Sequence, residues 1–259
     1  MFVQRSHGCI TFRKKIQHSP MKMITEFELA QSIDQTNLNP LLSYSECIQF
    51  FEESKKLDFA SVAILPIYTK LAAKILNGSH TKVCVAISYP FGGVPGDLKA
   101  KEVKYAVRDG ADEIDYVVNI TALKLGEYQK VLDESRLIIS AAEGKPVKAI
   151  IEMWDLSTDE IKKACEIVIE ANVSYIKSST AFKGYEKMRV GTINDALLLK
   201  KIVQNRAKIK IAGGINNVKV ALELLSLGVS RIGTSSGVSI LTGFRDLNKS
   251  EIIGKRRIN

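Results

Sequence analysis

The chain has 259 residues, of which 46% are hydrophobic and 25% are charged, and its formal net charge at pH 7 is +9. Its apolar runs are shorter than the roughly eighteen residues that a membrane-spanning helix requires. The length suits one large domain with a substantial core, so the composition argues against a membrane protein and favours a globular one.

The positive charge is concentrated at the two ends of the chain. Residues 1–25 carry five basic side chains and no acidic one, and residues 249–259 carry four basic side chains and one acidic one, which leaves a net charge of only +1 for the body. We therefore expect no nucleic-acid partner. Residues 1–23 are predicted to be a flexible basic extension rather than an organelle transit peptide, and residues 249–259 a basic tail.

The cysteines and histidines indicate neither a disulfide framework nor a zinc site. Four cysteines are scattered without a CxxC pair, and two of the three histidines lie in the N-terminal extension. The sequence therefore predicts a cytoplasmic protein that needs no metal and no cofactor.

Beyond the extension, short β-rich segments alternate with amphipathic segments of helical length, as in a parallel sheet. Strands are predicted over residues 32–34, 59–65, 82–88, 113–119, 147–153, 173–178, 208–212 and 231–233. Helices are predicted over residues 24–31, 43–56, 127–142, 157–171, 192–204 and 216–227. Three further helices are predicted: one that begins at Pro66, one that is capped by Asp97 and ends at Arg108, and a last short one after Gly237. Ser43 with Glu46 and Ser157 with Glu160 have the spacing of capping boxes.

Eight strand–helix units in about 220 residues predict a single-domain α/β fold, the (β/α)8 TIM barrel, over residues 24–248 with a leading helix. A doubly wound open sheet is the main alternative. Its dinucleotide-binding version would show GxGxxG after the first strand, and the sequence has no such motif there.

Catalytic side chains of such a barrel lie near the carboxyl ends of the strands and point inward. Alternation along strands four, six and seven directs Asp115, Lys177 and Lys210 into the interior. Charged groups in a barrel interior are costly unless they are paired or functional. The other inward positions on these strands are predicted to be Glu113, Val117, Asn119, Val173, Tyr175, Lys208 and Ala212.

Two lysines and a carboxylate suit carbonyl chemistry through a Schiff base. One lysine adds to the carbonyl, and the second lowers the pKa of the first by like-charge repulsion. The carboxylate transfers protons during these steps. A buried salt-bridge network is the alternative interpretation, and spacing alone does not decide between Lys177 and Lys210 as the nucleophile.

Glycine-containing turns follow strands seven and eight, at residues 213–214 and 233–237. Barrels frequently bind phosphate at these two turns through backbone N–H groups and a helix N-terminus. The hydroxyls of Ser235 and Ser236 can add donors there. Ordinary βα turns remain the alternative for each turn taken alone.

These segments resemble the deoxyribose-phosphate aldolase family. The resemblance covers residues 33–241 and is carried, in the family's order, by IDQTNLNP, SYPFGG, RDGADEIDYVVNI, YIKSSTAF, KIAGGI and RIGTSSG. It implies a metal-free class I aldolase with a barrel fold. Such enzymes reversibly join acetaldehyde to glyceraldehyde 3-phosphate, which gives 2-deoxy-D-ribose 5-phosphate, and they are often dimers.

The resemblance also implies roles for individual residues. Lys177 is expected to form the Schiff base, and Asp115 to be a proton donor and acceptor. Lys210 is expected to be the neighbouring cation that tunes Lys177 and a further proton donor and acceptor. For Asp34 a structural role at the barrel mouth is as well supported as substrate contact. The implied substrate- and phosphate-binding residues are Asp34, Thr36, Thr180, Gly213, Gly214, Gly233, Ser235 and Ser236.

The chain departs from the family's pattern at three places. Ala63 stands where many relatives have a cysteine, and Ala181 stands where the family usually has glycine. The chain ends in Ile258 and Asn259 rather than in the tyrosine that some relatives use in proton transfer. Two alternatives are an aldolase for another phosphosugar, which substrate profiling would reveal, and a catalytically weakened barrel that binds a protein partner, which an activity assay would reveal.

Overall fold

The computed structural model describes residues 24–182 and 191–256, with side chains described up to residue 247. Eight parallel strands pair in sequence order, and the last pairs with the first to close a barrel. The predicted TIM barrel is confirmed, whereas the predicted N-terminal extension lies outside the described residues. The strands are β1 (Ile33–Asn37), β2 (Ser61–Ile64), β3 (Lys82–Ile87), β4 (Glu113–Val117), β5 (Val147–Ile150), β6 (Tyr175–Lys177), β7 (Lys208–Ala212) and β8 (Arg231–Thr234).

Helices surround the barrel, and within the described part of the chain none is long and apolar enough to cross a membrane. Short 3-10 turns lie at Pro66–Tyr68 and Met153–Asp155. The α-helices are α1 (Glu26–Ala30), α2 (Tyr44–Lys56), α3 (Thr69–Leu76), α4 (Gly96–Arg108), α5 (Ile120–Lys124), α6 (Tyr128–Ala141), α7 (Thr158–Glu170), α8 (Ile193–Val203), α9 (Val218–Ser226) and α10 (Gly237–Arg256).

The predicted capping boxes are confirmed. Ser43 begins α2 with one box, and Ser157 begins α7 with the other. In each box the serine hydroxyl accepts a hydrogen bond from the backbone N–H of the glutamate three residues later, and the side chain of that glutamate accepts one from the backbone N–H of the serine. The predicted Asp97 cap is wrong. Pro95 precedes α4 without a side-chain cap, and Asp97 lies in the first turn, where its charge suits the positive end of the helix dipole.

Two other expectations about the elements are wrong. Asn119 was expected to face the barrel interior at the end of strand four, but it lies beyond β4 and caps α5, because its Oδ1 accepts the N–H of Ala122 at 2.9 Å. The last helix is long rather than short. Residues 249–256, predicted as a tail, continue α10.

The apolar core lies between the barrel and its helices. Ile114, Tyr116 and Val118 follow the outward alternation of β4 and are fully buried in this core. The Tyr116 hydroxyl reaches α6, where it donates to Ser135 Oγ at 2.8 Å. With the outward positions apolar, the inward positions of the same strands hold the charged residues.

Candidate active site

Asp115 on β4 receives the two predicted lysines inside the barrel. Its Oδ2 lies 2.8 Å from Lys177 Nζ, which comes from the end of β6, and 2.8 Å from Lys210 Nζ on β7. Lys177 is 3% exposed and the other two residues are fully buried. The inward orientation expected from strand alternation is therefore confirmed for all three.

A third interior lysine, Lys148 on β5, was not predicted. Its Nζ lies 2.5 Å from Glu113 Oε2, 3.1 Å from Asp115 Oδ1 and 3.5 Å from Asp34 Oδ2. The signal was present in the sequence, because Val147 and Ala149 are apolar, so alternation directs the lysine between them inward.

The interior charges do not balance if every group is ionised. Three carboxylates face four basic groups, all buried or nearly so. Loss of one proton from one lysine would make the cluster neutral. Arg231 pairs with Asp34 and, at 3.0 Å, with Glu113. The members of the cluster are Asp34, Glu113, Asp115, Lys148, Lys177, Lys210 and Arg231.

Lys177 is the lysine that the environment favours in the neutral form. Burial lowers its pKa below that of an ordinary lysine, and the charge of Lys210 lowers it further, against the opposing effect of Asp115. Burial acts on Lys210 as well, but Asp115 and Asp34 outweigh it and raise the pKa of Lys210 above the ordinary value. Lys210 has both carboxylates as partners, with Asp34 Oδ2 at 2.5 Å. The geometry therefore favours Lys177 as the nucleophile.

The two oxygens of Asp115 face different partners. Oδ2 faces the two lysines, while Oδ1 accepts the Cys84 thiol at 3.0 Å and lies 3.1 Å from Lys148 Nζ. Burial alone would raise the pKa of Asp115, but Lys148, Lys177 and Lys210 lower it well below its usual range. Asp115 is thus an ionised carboxylate that can take up a proton released at the Lys177 nitrogen.

Asp34 lies below the mouth rather than at it. It is fully buried and pairs with Lys210, Arg231 and Lys148, so its carboxylate is held within the interior charge cluster. The hydroxyl of Thr36, which was predicted to be near the substrate, donates to the Asp34 carbonyl oxygen at 2.9 Å.

The small hydroxylated residues after Lys177 join β6 to its neighbours. Ala212 of β7 donates its N–H to Ser178 Oγ at 3.0 Å and accepts the Ser179 hydroxyl at 2.9 Å. Thr180 donates its N–H to Glu152 Oε2 at 3.0 Å, at the end of β5. Glu152 was not predicted, and burial raises the pKa of its carboxyl group.

The turn after β7 requires glycine. Gly213 has a φ of +108°, and a side chain there would overlap the ring of Trp154. Gly214 has a φ of +62° and is exposed at the mouth. An exposed left-handed backbone with no side chain in the way suits an anion held by N–H groups.

Gly233, which was predicted to bind phosphate, also meets a packing requirement. A Cβ at this position would lie 3.0 Å from Ala212 Cβ and 3.1 Å from Lys210 Cε. Gly233 therefore leaves room for the Lys210 side chain. Beyond it Ser235 is exposed and Ser236 is half-buried. The N–H of Gly237, where α10 begins, donates to Gln35 Oε1 at 3.0 Å, and the next first-turn N–H groups, of Val238 and Ser239, have no partner within the helix.

The three departures from the family's pattern lie in different parts of the chain. Ala63 is buried on β2. Ala181 has a φ of +58°, in the left-handed region that favours glycine. The last residues of the chain, where a tyrosine was not found, lie outside the described residues. No three side chains of His, Cys, Asp or Glu in the described ranges are grouped as metal ligands, and metal independence stays a prediction.

Comparison with known proteins gives concordant matches. The model of the DeoC/LacD family aldolases matches residues 17–242. A deoxyribose-phosphate aldolase of Carboxydothermus hydrogenoformans is 38% identical over 225 residues, which cover 85% of this chain and 97% of that protein. One from Streptococcus equi subsp. zooepidemicus is 41% identical over 211 residues, covering 82% and 94%.

Solved structures agree with these matches. An aldolase named QR15 superposes with a TM-score of 0.80 at 37% identity, covering 86% of this chain and 98% of that one. A deoxyribose phosphate aldolase from Aeropyrum pernix, described as a unique tetrameric structure, gives a TM-score of 0.78 at 26% identity, covering 86% and 93%.

Proposed function

The chain belongs to the DeoC/LacD family of aldolases, and on that premise we propose that it catalyses reversible aldol cleavage of 2-deoxy-D-ribose 5-phosphate. The products are D-glyceraldehyde 3-phosphate and acetaldehyde. The observation that carries the proposal is the Lys177 amine, buried and 2.8 Å from the Asp115 carboxylate, with a second lysine on the same oxygen.

Cleavage begins at the Lys177 nitrogen. The neutral amine adds to the C1 carbonyl of the open-chain sugar, and Asp115 carries one proton from the nitrogen to the carbonyl oxygen, which gives the carbinolamine. A second proton, taken up from solvent and delivered through Asp115, lets the hydroxyl leave as water, and a protonated imine forms. Lys210 stays protonated between Asp115 and Asp34 and keeps Lys177 neutral before the addition.

The carbon–carbon bond breaks in the second stage. Loss of the C3 hydroxyl proton lets the C2–C3 electron pair move to the iminium nitrogen, which leaves an enamine on Lys177 and releases glyceraldehyde 3-phosphate. Protonation of the enamine carbon and addition of water then free acetaldehyde and the amine. Asp115 Oδ2 lies within hydrogen-bonding distance of Lys177 Nζ and can serve these proton transfers.

The phosphate end of the substrate is assigned to the turns after β7 and β8. Gly213 and Gly214 supply a left-handed backbone, and the start of α10 supplies N–H groups at the positive end of a helix dipole. The hydroxyls of Ser235 and Ser236 lie at the same helix end and add donors.

We further propose that the chain works as a homodimer in the cytoplasm. The thiols of Cys47, Cys84 and Cys165 are free and buried, which suits a reducing compartment. Light scattering after size-exclusion chromatography measures the assembly, and a mass other than that of two chains would contradict the dimer.

Reductive trapping tests the mechanism. Borohydride in the presence of acetaldehyde should leave an ethyl group on Lys177, located by peptide mass mapping, and Lys177→Leu should lose both the adduct and turnover while keeping its circular dichroism spectrum. Lys208→Leu, at the exposed start of β7, is the control and should keep the adduct on Lys177. An adduct on Lys210, or none, would contradict the assignment.

A further inference from the structure

Loops from opposite parts of the barrel meet over the mouth. The Tyr89 hydroxyl, after β3, donates to the Thr180 carbonyl, after β6, at 3.4 Å. The Tyr89 and Phe182 rings meet edge to face with centroids 6.1 Å apart. Because β4 and β5 separate these strands in the barrel, the contact spans the ends of both. We call Tyr89, Glu152, Thr180 and Phe182 the mouth roof.

The mouth roof is built on the ends of the strands that carry Asp115 and Lys177. The loop that carries Tyr89 packs on the end of β4, where a Cβ at Gly92 would lie 2.9 Å from Val117 Cγ1, two residues beyond Asp115. Glu152, at the end of β5, accepts the Thr180 N–H at 3.0 Å. Thr180 itself follows Lys177 by three residues.

The two polar members of the mouth roof are buried, and its two rings, Tyr89 and Phe182, are half-buried. Thr180 is 3% exposed and Glu152 is 5% exposed. Burial raises the pKa of Tyr89 to about 12, with a contribution from the Glu152 charge, and Glu152 in turn interacts with the charge of Lys177. The phenol and the carboxyl group therefore both bind the backbone of Thr180, three residues beyond the reacting amine.

Among the described residues, the turns on the other side of the mouth are exposed. Gly214 and Ser235, after β7 and β8, are exposed and Ser236 is half-buried. A phosphosugar can therefore enter with its phosphate on the β7 and β8 side, which leaves the two-carbon end attached to Lys177 beneath the mouth roof.

We propose that Tyr89 and Phe182 determine the size of the aldehyde donor and restrict it to two carbons. The inference rests on the proposed function. The donor is tethered to Lys177 Nζ through its carbonyl carbon, so a further methyl group on the next carbon would have to fit between Asp115 and the two rings. The rings leave room for the acetaldehyde enamine and exclude that of propanal.

Reductive trapping measures donor choice without the aldol step. The amine and aldehyde lose water to form the imine, and borohydride adds hydride to its carbon while solvent supplies the proton, so acetaldehyde leaves an ethyl group and propanal a propyl group on Lys177. The measured quantity is the ratio of the propyl to the ethyl trapping rate, in the full chain and in its variants.

Tyr89→Ala should raise this ratio by at least about tenfold, because one methylene in a fitted pocket discriminates by about 10- to 200-fold. Phe182→Ala removes the opposite ring and should do the same if the Tyr89 variant fails to fold. Tyr89→Phe keeps the ring and should keep the ratio. Phe91→Ala is the matched control, since Phe91 touches Phe182 from the outside and is 62% exposed.

The outcomes separate the two proposals. An ethyl adduct on Lys177 with an unchanged ratio in both alanine variants would overturn the size restriction and leave the proposed function standing. A rise as large in Phe91→Ala or Tyr89→Phe would overturn the assignment to the two rings. Absence of the ethyl adduct in the unmodified chain would overturn both.

Discussion

Lys177 and Lys210 lie at the same distance from one carboxylate oxygen, yet their pKa values move in opposite directions. The cause is the number of anionic partners. Lys177 has one carboxylate and a neighbouring cation, whereas Lys210 has two carboxylates. The neutral amine therefore forms on Lys177 at lower pH.

This contrast predicts a pH dependence. A lysine reacts when neutral, so trapping by acetaldehyde should rise with pH through the Lys177 pKa. Lys210→Met removes the cation that lowers this pKa, so the pH at which the trapping rate rises should be higher in this variant. Trapping rates measured over the neutral and alkaline pH range give the midpoint of this rise, with Lys208→Met as the control. A midpoint that is unchanged or lower in Lys210→Met would show that Lys210 does not tune Lys177.

Ala181 offers a separate test at the scale of one residue. Its φ of +58° is unfavourable for alanine and acceptable for glycine. Ala181→Gly should therefore raise the free energy of unfolding in urea by up to about 1 kcal/mol. Ala171→Gly is the control, because its right-handed backbone at φ −70° already suits alanine and glycine should destabilise it. A loss of stability at position 181 would show that no strain is relieved there.

At the scale of elements, the packing of β8 against β7 depends on the absence of a side chain at Gly233. Gly233 on β8 lies against the Lys210 side chain on β7, and the two strands pair at this level through Ala212 and Gly233. The same glycine was predicted to bind phosphate, and the two roles have different kinetic consequences.

Gly233→Ala should lower kcat for sugar cleavage by about tenfold to 100-fold, because about 1 Å of displacement of a catalytic group can cost about 10²-fold. KM should change less, since the phosphate turns stay in place. Gly93→Ala is the control, because a Cβ there would meet nothing within 4 Å. A raised KM with unchanged kcat would instead assign Gly233 to the phosphate.

At the scale of the whole molecule, the barrel closes around a charged interior. Asp34, Asp115 and Glu113 come from β1 and β4, and Lys148 on β5 lies among all three. Such a cluster is stable only while each charge is matched, because breaking a buried pair leaves an uncompensated charge.

The fold should therefore be sensitive to acid. The basic neighbours outweigh burial and hold the pKa values of Asp34 and Asp115 below the ordinary 3.8. A lowered folded-state pKa contributes stability above the unfolded value, and this contribution is lost as pH falls below it, so the melting temperature should decline from about pH 5 downward.

Lys148→Met should raise the pKa of Asp34 and Asp115 towards the ordinary value, so the acid-induced decline should be smaller and should end at a higher pH. It should also lower the free energy of unfolding at neutral pH by about 3–5 kcal/mol. Glu26→Gln, which breaks an exposed pair with Arg245, is the control and should cost about 1 kcal/mol or less. Equal acid profiles for the Lys148 variant and the unmodified chain would contradict the role of the interior charges.

The sequence alone predicted the barrel, the capping boxes at Ser43 and Ser157, and the inward positions of Asp115, Lys177 and Lys210. These follow from patterns within single elements, since alternation along a strand and the spacing of a cap are local. The same rule applied to β5 would have found Lys148. The Asn119 position was missed because a local alternative, capping α5, ends the strand earlier.

The tertiary structure decided what depends on distances between separate elements. Asp115 meets Lys177 and Lys210 across 62 and 95 residues of chain. Which lysine is neutral depends on how many carboxylates reach each amine. The space that Gly233 leaves and the meeting of Tyr89 with Phe182 likewise arise only when the barrel closes, because closure brings together side chains that no local pattern relates.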